Sequence, residues 1–263
     1  MSEFGQTAEF LPTYSDMQMR DKLRELAKQN VQRVAVVGGD GTLAQAVQEL
    51  AYTETALAVL PLGTFNNFAA SLNIPRDLHA ALRLLWEGKV TEVDLGKVDA
   101  YYFTEAAGAG LSADFITRNG LDGRKNFFRT LYGAASVYFQ NKHYPMRLML
   151  DGKHYENSLS LCLVANSYRM GMSIPIASGA VMNDGTLNVI LVEALERDEW
   201  WQYGKATWSQ MLQTMPKVKV VNAHEIKFLE PTHMKIHCDD RFLLRTPVTV
   251  LAQAKALKVL VPR

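Results

Sequence analysis

Cysteine is almost missing from this sequence: two in 263 residues, Cys162 and Cys238, far apart and set in apolar runs. No CxxC spacing exists, which removes a disulfide framework and a cysteine-rich zinc site from consideration. Buried free thiols in a reducing compartment are expected. There is also no run approaching the ~18–20 apolar residues that a membrane span needs. The opening "MSEFGQTAEFLPTYSDMQ" has neither a basic segment nor an apolar one, so it does not read as a secretory signal. Neither sign of charge dominates: 28 Lys and Arg against 27 Asp and Glu leave a formal net charge of +1. Wholesale nucleic-acid binding is therefore not implied. Internal repeats and low-complexity linkers are lacking as well. The expectation is a cytoplasmic protein, at most peripheral at the inner face of the membrane. What remains is an ordinary globular composition, in a chain long enough for one large domain or two modest ones.

Two textures follow one another along the chain. Up to about residue 90, helical and β-rich stretches alternate. "MQMRDKLRELAKQN" places Met17, Leu23 and Leu26 on one helical face, and "LAQAVQELAY" does so for Leu43, Ala46, Val47 and Leu50. "VQRVAVV" and "ALAVLPL" are short buried strands that each run into glycine. "RDLHAALRLLWEG" is a helix with Leu78, Ala81, Leu82 and Leu85 inward and Gly88 as its stop. Helices between apolar strands predict an α/β layer with parallel pairing. Beyond residue 90, short β-type runs dominate, from "TEVDLGKV" to "PVTVLA" and "LKVLVP", divided by Gly, Asp, Asn and Pro. They predict an antiparallel β-sandwich with helical insertions near 118–141 and 197–214. The boundary falls near 95–100: residues 1–96 form an α/β nucleotide-binding domain and 97–263 a sandwich domain.

The stretch "VAVVGGDGTLAQAV" carries the most chemistry. Gly38 and Gly39 follow a strand and Thr42 opens a helix. Glycines let backbone N–H groups converge on an anion, and a helix start adds unpaired donors with a positive dipole end. Asp40 in such a loop would repel a bare phosphate. It makes sense with a counter-cation, for which Mg²⁺ accompanying ATP is the natural choice, with a proton to accept, or with local hydrogen bonds. The plainer reading is a glycine turn in which Asp40 and Thr42 cap the helix. "LPLGTFNNFA" repeats the device, with Gly63 and Thr64 after a strand and Asn66 before a helix, where Asn66 or Asn67 can equally be a helix cap.

"VVGGDGTLAQAV" followed by "LPLGTFNNFA" resembles the diacylglycerol kinase catalytic domain, especially bacterial soluble lipid kinases of the YegS type. "EVDLGKV", "AAGAGLSADF", "ASGAVMNDGTLNVILV" and "IHCDDRF" continue the resemblance in order, over nearly the whole chain. GGDGT alone is shared with NAD kinases and phosphofructokinases; joined to PLGT-x-N about twenty residues on, it is far more specific. The resemblance implies an α/β nucleotide domain with a larger β-sandwich domain, and transfer of the ATP γ-phosphoryl group to a lipid hydroxyl with Mg²⁺. It places Gly39, Asp40, Gly41, Thr42, Leu43, Ala44 and Gln45 at the nucleotide phosphates. Gly38, Thr64 and Asn66 stand in the same two loops, and Thr13 in "LPTYSD" matches an ATP-contacting threonine. It assigns a separate Mg²⁺ site to Asp184 with the backbone carbonyls of Val181 and Thr186. The implied partner is a lipid at a membrane surface, with no nucleic acid and no transmembrane segment; homodimer formation stays open.

Three departures matter. The family opens with a strand like "NP-x-SG", which this sequence does not show: either the start is truncated or another element replaces that strand, and a missing strand would expose a sheet edge. The family's "GND" reads Phe65-Asn66-Asn67. The glutamate of its "DGE", proposed as general base, is Arg241, and arginine cannot accept a proton at neutral pH. Asp240, by way of a one-residue bulge, and Asp40 are the candidate bases. Three readings stand: a lipid kinase, a non-catalytic nucleotide- or lipid-binding regulatory homologue, and an NAD kinase. The last is disfavoured by "LPLGTFNN". "FFRTLYGAASVYFQNKHYP", with Lys125, Arg129, Lys142 and His143, and "RDEWWQYGKATW" pose one further choice, between a lipid interface and plain helix packing.

Overall fold

The computed structural model describes residues 8–119 and 140–263. They fall into two compact units, one running to Glu92 and including Leu257–Arg263, the other Val93–Ala256.

The first unit opens with helix α1 (Asp16–Lys28), capped by the Ser15 side chain, which accepts the Gln18 amide. It buries Met19 and Leu23, one turn apart, while Met17 faces solvent despite its place in the apolar pattern. Strand β1 (Arg33–Gly38) and helix α2 (Asp40–Leu50) follow, then strand β2 (Ala56–Pro61). The two strands are parallel, in register from Arg33↔Ala56 to Gly38↔Pro61, so both reach their glycine turns at the same level. β2 is buried at every position; β1 alternates. β2 is flanked on its other side by the last strand, at Val259↔Leu57, which makes it interior and leaves β1 as the edge. Leu43, Ala46, Val47 and Leu50 of α2 are all buried, as the helical period predicts. The short α3 (Asn67–Ser71) precedes α4 (Leu78–Glu87), which Asp77 caps by accepting the Ala80 amide. α4 turns Ala81 and Leu84 inward; Leu78 is exposed.

The second unit is organised around β7, with which β5, β6 and β8 all pair antiparallel. Its strands are β3 (Lys89–Val98, entered from the first unit), β4 (Tyr101–Phe103), β5 (Ala106–Gly110), β6 (Tyr144–Leu150), β7 (Lys153–Ala165), β8 (Leu187–Glu193), β9 (Val218–Ala223), β10 (Glu225–Glu230), β11 (Lys235–Cys238), β12 (Phe242–Arg245) and β13 (Val248–Val261). The first half of β7 pairs with β6 and the second half with β5, while β8 runs along residues 159–165. Alternate residues of β7 and β8 feed two cores. Cys162, Val164, Val189 and Leu191 join Phe103, Met146, Leu148, Ile226 and Phe228 in one. Leu163, Ala165, Ile190 and Val192 join Tyr203 and Leu212 in the other. Burial on both faces is why "SLSLCLVAN" reads as a continuous apolar run. Tyr203 belongs to helix α6 (Trp200–Trp208), and Leu212 to the 3₁₀ turn Leu212–Thr214, both inside the predicted insertion at 197–214. Helix α5 (Leu111–Asn119) starts earlier than the other predicted insertion, most of which lies outside the described residues.

The observed architecture is the predicted one, an α/β unit and a β-sandwich. Two apolar runs, "PVTVLA" and "LKVLVP", belong to the single strand β13, which passes Lys255 in the left-handed region (φ 52°). Its last residues return to the first unit. A boundary drawn along the chain at 96–97 cannot register a return made so late. Both cysteines are buried free thiols.

Candidate functional site

The register of β1 on β2 sets the two glycine turns side by side. The Leu62 amide donates to the Gly38 carbonyl at 3.1 Å. A Cβ on Gly39 would stand 2.8 Å from the Gly63 Cα, and one on Gly63 only 2.4 Å from the Gly39 Cα. Backbone meets backbone there, so only glycine fits at either position. Gly39 is the N-cap of α2 in an extended conformation and makes no side-chain cap bond. The amides of Thr42 and Leu43 both turn back to the Gly39 carbonyl, at 2.9 and 3.1 Å. Donors for an external anion are thereby narrowed to the residues before them. Gly38, Gly39, Asp40, Gly41 and Thr42 are partly exposed around the turn, whereas Leu43, Ala44 and Gln45 are buried in α2.

The second turn is closed by Asn66. Its Oδ1 accepts the Gly63 amide at 2.9 Å and its Nδ2 donates to the Gly63 carbonyl at 2.7 Å, with the residue buried at φ 54°. Asn66 occupies the N-cap of α3 without a side-chain cap bond; both ends of its amide clamp the loop instead. Asp40 Oδ1 accepts the Phe68 amide at 3.2 Å and so ties the start of α2 to α3. Thr64 is exposed at the loop tip, and the Phe65 carbonyl accepts an Arg76 guanidinium N–H at 2.8 Å. Arg76 puts a permanent positive charge beside the turn. The sequence offers no pattern that singles it out. Thr13 lies in the exposed segment before α1.

In the second unit the Asp239-Asp240-Arg241 turn joins β11 to β12. The ladder runs from Lys235↔Arg245 to Cys238↔Phe242 with no register shift, so the bulge expected to bring Asp240 into the glutamate position is absent. The reason lies in Asp239. It sits at φ 47°, and its carboxylate accepts the amides of Thr104 (3.0 Å), Glu105 (2.9 Å) and Ala106 (3.1 Å) and the Thr104 hydroxyl (3.3 Å). Its own amide donates to the Ala106 carbonyl. Burial pushes its carboxyl up to about 7 against the pull of those amides, and the Asp240 charge adds to the rise. Asp240 and Arg241 form the half-buried tip. His237 is fully buried; its Nδ1 donates to the Asp239 carbonyl at 3.0 Å, and burial pushes the imidazole down to about 4. It is the neutral tautomer with the proton on Nδ1.

The same hub reaches further. Asn166 Nδ2 donates to the carbonyls of Asp94 and Thr104, and Glu105 Oε2 accepts the Gly171 amide at 2.8 Å. The buried Asp94 carboxylate accepts the amides of Gly185 (2.6 Å) and Lys255 (2.8 Å), which braces the "NDG" turn. Sequence reasoning placed Asp94 within a motif but gave it no role, because its partners are 91 and 161 residues away. Within the turn, Asp184 Oδ1 accepts the Thr186 amide and hydroxyl, at 2.9 and 3.0 Å; Asp184 and Val181 are exposed. Among the described residues no group of three or more His, Cys, Asp or Glu could hold a metal ion. One carboxylate with two backbone carbonyls is instead the sparse hard-oxygen set that Mg²⁺ accepts while keeping several waters. Of the aromatic-basic stretch, Lys142 pairs with Asp114 at 3.9 Å and His143 Nε2 bonds the Leu195 carbonyl at 2.9 Å; Lys125 and Arg129 lie outside the described residues.

Against known proteins, the family described as "Diacylglycerol kinase catalytic domain" matches residues 1–98, and "YegS C-terminal NAD kinase beta sandwich-like domain" matches residues 119–261. A diacylglycerol kinase of Staphylococcus saprophyticus is 25% identical over 256 residues, covering 95% of this chain and 84% of that one. A YegS-like lipid kinase of Pectobacterium atrosepticum is 25% identical over 217 residues, covering 78% and 73%. The crystal structure of a diacylglycerol kinase from Bacillus anthracis superposes with a TM-score of 0.78 at 22% identity, over 95% of this chain and 84% of that one, a likeness of fold.

Proposed function

Because the chain belongs to the YegS branch of the diacylglycerol kinase family, we propose that it transfers the γ-phosphoryl group of ATP to the hydroxyl of a diacylglycerol-like lipid at a membrane surface. The observation that carries this reading is the backbone contact of Gly39 with Gly63, which merges two turns into one backbone cradle at a helix start whose N-cap residue is itself a glycine. The amides of residues 39–41 hold the phosphates; the Thr64 hydroxyl flanks them from the second loop, and Arg76 reaches that loop through the Phe65 carbonyl. In the transfer the lipid oxygen bonds to the γ-phosphorus as the bond to the β,γ-bridging oxygen breaks, and ADP leaves. Positioning and charge neutralisation dominate such a reaction. Mg²⁺ supplies that neutralisation when bound with ATP, and Asp184 with the Val181 and Thr186 carbonyls would hold a separate ion. The hydroxyl proton goes to a carboxylate, for which Asp40 is the candidate left, since the β11–β12 ladder has no bulge to bring Asp240 into the glutamate position. Asp239 is too fully engaged with backbone donors to serve. A base contributes only ~10²–10⁴-fold, so Arg241 in the glutamate position does not by itself preclude transfer.

Labelled ATP incubated with a total lipid extract and Mg²⁺ tests the reading directly. The expected result is label in a lipid product, abolished by Asp40→Ala. The Arg241 substitution gives the regulatory reading its one specific support: a rise in Tm with Mg·ATP but no label in any lipid establishes that reading instead. No shift and no label overturns both.

A further inference from the structure

Helix α6 is anchored by one face and presents an unusual other. Tyr203 and Ala206 are buried, the Tyr203 hydroxyl accepts the Lys217 amide, and Trp200 Nε1 donates to Asn141 Oδ1. Opposite them, at helical spacing, stand Trp201, Lys205 and Trp208. The two indoles are 73% and 61% exposed, and Met211 just beyond the helix is 53% exposed. The Lys205 ammonium lies 4.9 Å from the centre of the Trp201 ring. Indoles this exposed on the outer face of a nine-residue helix contribute little burial to its folding. Charge along this stretch is one-sided. From Trp200 to His224 the sequence has no Asp or Glu, and it carries Lys205, Lys217 and Lys219. Glu196 and Asp198 precede the helix, and Glu199 at its start is paired with Lys217.

We propose that the Trp201–Lys205–Trp208 face of α6 docks the protein on an anionic lipid bilayer, with the indoles at headgroup level and the ammonium on lipid phosphates. Indoles prefer the boundary between water and hydrocarbon, and a lysine stem lies along apolar matter while its head stays at the charged surface. One lysine beside two tryptophans fits a negatively charged membrane and not an acidic protein, which would call for more basic and less aromatic surface. The inference deepens the lipid kinase reading and rests on it for its biological purpose, but docking and phosphoryl transfer can fail separately.

The test compares the full chain with Trp201→Ser/Trp208→Ser and with Lys205→Glu, using vesicles of phosphatidylcholine with and without phosphatidylglycerol. Wild type is expected to co-sediment with the anionic vesicles and to blue-shift its tryptophan emission. The double variant should lose about tenfold or more of that partitioning and Lys205→Glu about fivefold or more. Thermal melts should match wild type, since the replaced side chains are exposed. Transfer to a short-chain diacylglycerol dispersed as monomers should persist in both variants, while transfer to vesicle-borne lipid falls with binding. Vesicle binding unchanged in the double variant overturns the docking face. So does a shift from dimer to monomer in that variant with binding intact, which would make the face a contact with a second copy. Wild-type binding that the variants lose, without lipid phosphorylation in any format, sustains the docking and sinks the kinase reading.

Discussion

Two polar regions of this molecule use their backbone amides in different ways. At Gly39 and Gly63 there are no side chains and the two turns touch; Asn66 closes the loop through backbone groups of Gly63, and the N-cap residue of α2 is a glycine. At Asp239 a single buried carboxylate gathers three consecutive amides and a hydroxyl. The first arrangement brings backbone against backbone at a helix start. The second is a cradle already filled from within the chain. Both bring backbone N–H groups together, and only the second supplies a carboxylate of the chain to receive them.

Filling the first cradle should have the largest effect. Gly63→Ala puts a methyl 2.4 Å from the Gly39 Cα, a clash with backbone that no rotamer relieves. Turnover is expected to fall about a hundredfold or more from the misplaced phosphates, with loss of the Mg·ATP-induced rise in Tm. An undiminished thermal shift would show that the contact is mere packing. Emptying the second cradle should act on stability instead. Asp239→Ala leaves several buried donors without an acceptor, and urea denaturation is expected to show a loss of about 3–5 kcal/mol. Asp239→Asn, which keeps one acceptor oxygen, should lose less.

The smallest effect is a pH signature of the second cradle. His237, held down to about 4 in the fold, stabilises the protein above its ordinary pKa of about 6.5 and loses that contribution as pH falls towards 4. Asp239, raised to about 7, works the other way: its contribution is complete below about 3.9 and is lost as pH rises towards 7. Between pH 7 and 4 the two therefore oppose each other. Replacing the imidazole by His237→Leu should leave the Asp239 slope, so that the variant gains stability relative to wild type as pH drops from 6.5 to 4. Parallel stability curves for the two proteins across that window would show that His237 does not titrate as its burial requires.

Much of the first unit was legible along the chain. Gly38-Gly39 and Gly63 could be read as phosphate-type turns because strand, glycine and helix start follow each other within a few residues, and left-out side chains are visible in the letters. The inward face of α2 followed from its period, and the burial of β2 from its unbroken apolar run. Met17 misled because Met19, two residues on, matches Leu23 at one full turn and took the buried place. The bulge expected near Asp240 failed for a reason no local pattern carries: Thr104 lies 135 residues from Asp239.

Local order, then, was written in the residues themselves: which runs are strands, and where the chain must turn tightly. Partnership was not. That Asn66 would serve its own loop, that Asp239 rather than Asp240 would be swallowed by backbone donors, and that β13 would return to the first unit were settled when distant segments met. Periodicity and backbone freedom are properties of neighbours in sequence, whereas satisfying a buried carboxylate depends on whichever amides the fold brings to it.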